Sequence, residues 1–159
     1  MEQSAVLERR GKYLLFFSTR MEFSNNKKQT KSGFKMRTIE EKIIQTLNGG
    51  NGVKNLSCRD RVEVDGKIKK YYLWNSLMFW NDAENNYYFS ARRWNSKTTK
   101  SRLNAILGGF FNARINQKNW GWFLNWNGKK YPIDSDSIFM FKDNKLYRLG
   151  AHEEEVKPL

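Results

Sequence analysis

The sequence predicts an α+β fold: a mostly antiparallel arrangement of β-hairpin sheets carrying two short helices. Three observations lead there. Short aromatic and β-branched runs are separated by turn-forming pairs such as Asp65-Gly66 and Asn127-Gly128, the pairs that favour two-residue hairpin loops. Two other stretches, beginning near Thr38 and Ser96, carry helical start and stop signals instead. Finally, 159 residues with 39% hydrophobic and 15% aromatic content and no Pro/Gly/Ser-rich linker match one domain able to bury its own core. That domain is expected to span residues 1–150, with a basic loop at about 24–35 and a loose acidic tail over 151–159.

Taken in order, Lys12 to Ser18 reads as a buried strand, with a buried helix segment as the competing reading. Asn25 to Gly33 is polar, basic and rich in turn formers, a solvated loop or an arm that wraps a nucleic-acid backbone. Thr38 and Glu41 have the spacing of a capping box. Ile39, Ile43, Ile44 and Leu47 then share one helical face, and Asn48 to Gly52 stops the helix. That glycine cluster follows a helix and lacks a Gly-Lys-Ser/Thr ending, so it is not a phosphate loop.

Strands are expected at 61–64 and 67–74 about Asp65-Gly66, and at 76–80 and 87–94 about the loop 81–86. The second helix starts at Ser96-Lys97-Thr98-Thr99, runs to about Leu107 and ends at Gly108-Gly109. Five further strands follow, at 110–116, 120–126, 130–133, 138–141 and 145–149, with turns at Asn127-Gly128 and Lys142-Asp143-Asn144.

Charge is the unusual feature. Of a formal net charge of +13, residues 85–133 contribute +9, because Arg92, Arg93, Lys97, Lys100, Arg102, Arg114, Lys118, Lys129 and Lys130 occur there with no Asp or Glu. Eleven aromatic rings are interleaved with them. Cations attract phosphates and exposed rings stack on bases, so polyanionic partners are favoured. Phe89, Phe110, Trp122 and Phe123 are expected in the core. Trp120, Trp122, Leu124 and Trp126 share one strand parity, forming either core or a stacking platform, with core the preferred reading.

Catalytic signals are weak. His152 is the sole histidine and sits among three glutamates in the tail, which disfavours Ser-His-Asp or Cys-His chemistry. Cys58 is the sole cysteine, so neither a disulfide framework nor a thiolate zinc site is expected; it reads as a packing residue in a reducing, cytoplasmic setting. Asp134, Asp136, Asp143 and Lys145 give a loose version of a Mg²⁺ nuclease pattern, and Glu63, Asp65 and Lys67 a weaker one. No apolar run approaches the roughly 20 residues that span a bilayer, so neither a membrane partner nor a cofactor is expected.

The segment Tyr87-Tyr88-Phe89-Ser90-Ala91-Arg92-Arg93-Trp94-Asn95-Ser96-Lys97-Thr98-Thr99-Lys100 resembles a strand-then-Ser-x-Thr-Thr element of small uncharacterised bacteriophage proteins. Leu73-Trp74-Asn75-Ser76 and Arg102-Leu103-Asn104-Ala105-Ile106 are similar to its flanks. The resemblance covers about a quarter of the chain. It implies a phage-encoded protein of the host cytoplasm and no particular activity.

The functional expectation is a non-catalytic nucleic-acid-binding protein, for DNA or RNA, acting through Arg92, Arg93, Lys97, Thr98, Lys100, Arg102, Arg114, Lys118, Lys129 and Lys130. Trp94, Trp120 and Trp126 are the candidate stacking residues. Capture of an acidic host protein by the basic face is the first alternative and a Mg²⁺-dependent nuclease the second.

Overall fold

Thr38 to Leu47 forms a helix, α1, because four isoleucine and leucine side chains recur at helical spacing. A computed structural model describes residues 36–159, so the strand expected at 12–18 and the basic loop at 24–35 lie outside the described residues. The chain divides into two units, Met1–Met36 and Arg37–Leu159, and the second is described here. Ile43, Ile44 and Leu47 are fully buried, and Ile39 packs at the margin of the same core. The N-cap is Arg37, one residue earlier than expected, and the Arg37 amide donates to the Glu40 carboxylate at 3.1 Å.

Five strands follow: β1 (Gly52–Asn55), β2 (Asp60–Asp65), β3 (Ile68–Leu73), β4 (Ser76–Asn81) and β5 (Tyr87–Phe89). The β2–β3 hairpin closes at Asp65 opposite Ile68, so its two-residue turn is Gly66-Lys67, one position later than expected. Gly66 supplies the left-handed φ of 62° there. The strand expected at 87–94 stops at Phe89, since Arg92 and Arg93 adopt φ of 51° and 69° and turn the chain.

The chain then leaves this sheet. It builds helix α2 (Lys97–Phe111) and a second sheet of β6 (Arg114–Lys118), β7 (Gly121–Trp126) and β8 (Lys129–Ile133). It returns as β9 (Ile138–Lys142), β10 (Lys145–Leu149) and β11 (Glu153–Glu155). The large sheet has the order β1-β2-β3-β4-β5-β9-β10-β11 and the small one β6-β7-β8, all pairs antiparallel. The expected fold class is the one found.

α2 passes through Gly108-Gly109 and ends two residues later at Phe111, with Asn112 capping it in the left-handed conformation. Packing overrides the glycine stop: Phe111 stacks on Phe141 at 4.1 Å, and Phe110 lies 5.2 Å from Phe79. The core is completed by Tyr71, Phe89, Phe139, Leu103 and Ile106. Asn104 of α2 receives the Ile115 amide on Oδ1 at 2.6 Å and donates Nδ2 to the Ile115 carbonyl at 3.1 Å, so the helix occupies the outer edge of β6 as another strand would.

Two expectations at the ends of elements need correction. The acidic tail is partly ordered: Glu153–Glu155 pairs with β10, Val156 is buried, and the Leu159 amide donates to the Lys130 carbonyl. Burial of the Val156 side chain and the backbone bonds to β10 and Lys130 together supply the reason, since they offset the entropy of ordering a short tail. Cys58 is exposed in the β1–β2 connection and does no packing.

Candidate nucleic-acid interface

The small sheet separates its residues by parity. Ile115, Trp122, Leu124, Trp126, Tyr131 and Ile133 face the core and are buried. The other face carries the cross-strand rows Arg114-Asn125-Lys130 and Asn116-Phe123-Pro132, with Lys118 opposite Gly121 at one end. Arg114, Lys118 and Lys130 are exposed, and the Lys130 ammonium sits 4.5 Å from the Phe123 ring centroid. Phe123, expected in the core, is therefore half-buried on the outer face. Lys129 is exposed at the solvent end of its strand, opposite Trp126.

The tryptophan row divides for a geometric reason. Trp122 and Trp126 are core, whereas Asn119 and Trp120 form the β6–β7 turn with φ of 52° and 68°. Trp120 is 91% exposed. Trp126, expected as a stacking residue, lies 4.8 Å edge-on to Phe141 inside the core and has no face open to a base. Trp94 is 47% exposed in the turn that precedes α2.

That turn, the helix start and the β6–β7 turn meet at one end of the small sheet. Lys100 of α2 donates to Gln117 at 3.1 Å, and Gln117 pairs with Trp122, which pairs with Ile133. Ser135 follows Ile133 past the strand end, and its carbonyl accepts from the Arg93 amide at 2.7 Å. Lys97, exposed, and Thr98, half-buried, lie between the turn and Lys100. The Ser96 hydroxyl accepts from the Thr99 amide at 3.1 Å, so the first turn of α2 is already capped.

Two expected site residues are engaged elsewhere. Arg102 is 5% exposed and lies between two buried carboxylates, 2.9 Å from Asp60 and 3.4 Å from Glu40. A buried cation cannot meet a phosphate, and this one is held by the two helices and β2 it joins. Ser57 and Tyr71 donate to Asp60, and Ser101 donates to Glu40. Burial pushes the Asp60 carboxyl up, but the bonds from Arg102, Ser57 and Tyr71 together hold it below the usual carboxylate range. Arg92 is half-buried, donates to the Leu77 carbonyl at 2.8 Å and lies 5.3 Å from the Trp80 ring, which places it on the large sheet. Arg93 stays exposed, 3.7 Å from Asp136, so a carboxylate from outside the acid-free stretch does reach it.

Asp134 accepts from the Asp136 and Ser137 amides and the Ser137 hydroxyl, and it lies 3.4 Å from Arg148. Among the described residues no group of three or more His, Cys, Asp and Glu is placed to hold a metal ion. No described helix is long and apolar enough to cross a membrane.

Sequence reasoning missed the Arg–ring pairs of the large sheet: Arg61 lies 4.0 Å from the Tyr72 ring and Arg59 5.6 Å from the Trp74 ring. The signal was present, because the hairpin at Gly66 sets Arg61 opposite Tyr72 once the turn is placed correctly. It also missed Asn104, whose partners lie on a strand that follows the helix.

Comparison with known proteins gives one finding. No curated protein and no solved structure matches the chain significantly. The family model described as Kyanoviridae Gp96 protein does match, over residues 36–146, from just before α1 to the second residue of β10 and across the acid-free stretch 85–133. The chain accordingly belongs to the Kyanoviridae Gp96 protein family, a bacteriophage family.

Proposed function

We propose that the protein binds nucleic acid through its backbone phosphates, without catalysis, inside the host cell. The observation that supports this reading is the outer face and end of the small sheet. Arg114, Lys118 and Lys130 stand on or beside one face, Lys97 and Lys100 adjoin its end, Lys129 lies at the opposite end, and residues 85–133 contribute no carboxylate to any of it. A cationic surface of this size gains affinity by releasing condensed counterions from a polyanion.

The test is a salt titration of binding to labelled DNA. Arg102 is buried and Arg92 is held by the large sheet, so the exposed or half-exposed lysines Lys97, Lys100, Lys118, Lys129 and Lys130 are the main groups to meet phosphates. If four or five of them do so, log K against log salt should fall with a slope of about −3 to −5. Replacing Lys118 and Lys130 together by Ala should make that slope shallower by up to about two units while the fold is kept. Absence of binding to duplex DNA, single-stranded DNA and RNA at low salt would overturn the proposal.

A further inference from the structure

Two indole rings stand out of the small sheet's end, and nothing among the described residues stacks on either. Trp120 is 91% exposed at the tip of the β6–β7 turn, and Trp94 is 47% exposed in the turn before α2. Both belong to the same end of that sheet. Trp122, two residues after Trp120, pairs with Ile133, two residues before Ser135. Ser135 is the residue whose carbonyl holds the Arg93 amide, next in the chain to Trp94.

Cations flank the two rings. Lys118 precedes Trp120 by two residues, and Lys100 is tied by Gln117 to the same strand end. The carboxylates at this end are Asp134, occupied by loop amides and Arg148, and Asp136, beside Arg93. An exposed aromatic ring contributes little to holding a duplex by its phosphates, since stacked and paired bases present no face to it. Unpaired bases do present a face, and each ring–base stack strengthens binding without reading sequence.

Resting on the nucleic-acid reading above, we infer that the ligand of this end is single-stranded nucleic acid, with unpaired bases stacked on Trp120 and Trp94 and the intervening phosphates on Lys118 and Lys100. Charge complementarity commits the surface to a polyanion, and the two unpartnered indoles select the unpaired form.

The experiment compares twelve-nucleotide oligo-dT and oligo-U with a twelve-base-pair DNA duplex, by fluorescence anisotropy at one salt concentration, for the wild type, Trp120→Ala, Trp94→Ala and Trp120→Phe. Trp120 is almost wholly exposed, so its substitution leaves the core intact, which a thermal melt verifies. The single strands should bind more tightly than the duplex. Trp120→Ala should weaken single-strand binding about tenfold with the duplex unchanged, Trp94→Ala should do the same less strongly, and Trp120→Phe should restore most of the loss. Duplex binding as tight as single-strand binding, or equal losses on both forms in the alanine variants, overturns the single-strand inference and leaves phosphate binding standing. Failure to bind any of the three probes overturns both.

Discussion

Arg102 shows how misleading a residue's company in the sequence can be. It sits among basic neighbours in an acid-free stretch, yet its guanidinium is buried between Asp60 and Glu40 and ties α2 to β2 and α1. Its partners lie more than forty positions away, so no local pattern could have revealed them. Removing one member of such a cluster leaves carboxylates without a cation in a place water does not reach. Arg102→Ala should therefore cost about 3–5 kcal/mol at pH 7, measured by urea denaturation. The pH dependence has a definite sign. The Asp60 carboxyl is depressed by folding, so it adds stability that is present above its unfolded pKa of about 3.9 and lost as pH falls through the lower folded value. Arg102→Ala removes that depression, and the gap between wild type and variant should narrow as pH drops below about 4. A loss under about 1 kcal/mol at pH 7 would show that the cluster is dispensable, and a larger loss independent of pH would show that it does not act through the Asp60 carboxylate. Trp120 makes a related point, since holding so bulky a residue at a φ of 68° costs about 1 kcal/mol that no packing returns.

At the scale of elements, the hairpin turns separate what could be read from what could not. Asn127-Gly128 was legible because both positions need left-handed φ, and Asn and Gly are the residues that reach it most easily. Trp74-Asn75 and Asn119-Trp120 make two-residue turns with left-handed φ at both positions, yet each places a tryptophan where asparagine or glycine is expected, and the expected strands 67–74 and 120–126 each took in that tryptophan. The basic residues were found, while their faces were not, because face depends on strand ends and the missed turns moved those. The edge of β6 is likewise invisible in sequence. It is closed by one amide side chain, and Asn104→Ala leaves the buried Ile115 amide and carbonyl without partners. The expected cost is about 1–3 kcal/mol in a denaturant melt, with faster hydrogen exchange at the Ile115 amide. Unchanged exchange at that amide would mean that α2 does not cap the strand.

For the whole molecule, composition sufficed to give the fold class, since hairpins make strands adjacent in sequence adjacent in space, and most pairs here obey that rule. The exception is β5 beside β9, where α2 and the entire small sheet are inserted between two neighbouring strands. The acid-free stretch coincides closely with the insertion, but charge carries no information about strand pairing, so the second sheet lay hidden within it.

That insertion has a kinetic consequence. Every hairpin in the large sheet can zip locally, but joining Phe89 to Phe139 closes a loop from residue 89 to residue 139, at an entropic cost of about 3–4 kcal/mol if the connection is still unfolded. Forming α2 and the small sheet first shortens that connection, so the proposed binding surface should be built before the large sheet is sealed. Stopped-flow refolding of Phe139→Leu tests the order: if sealing is rate-limiting, the variant slows folding with a φ-value of about 0.5 or more. A φ-value near zero would place the seam after the barrier, and the two halves of the large sheet would then meet only as the last step of folding.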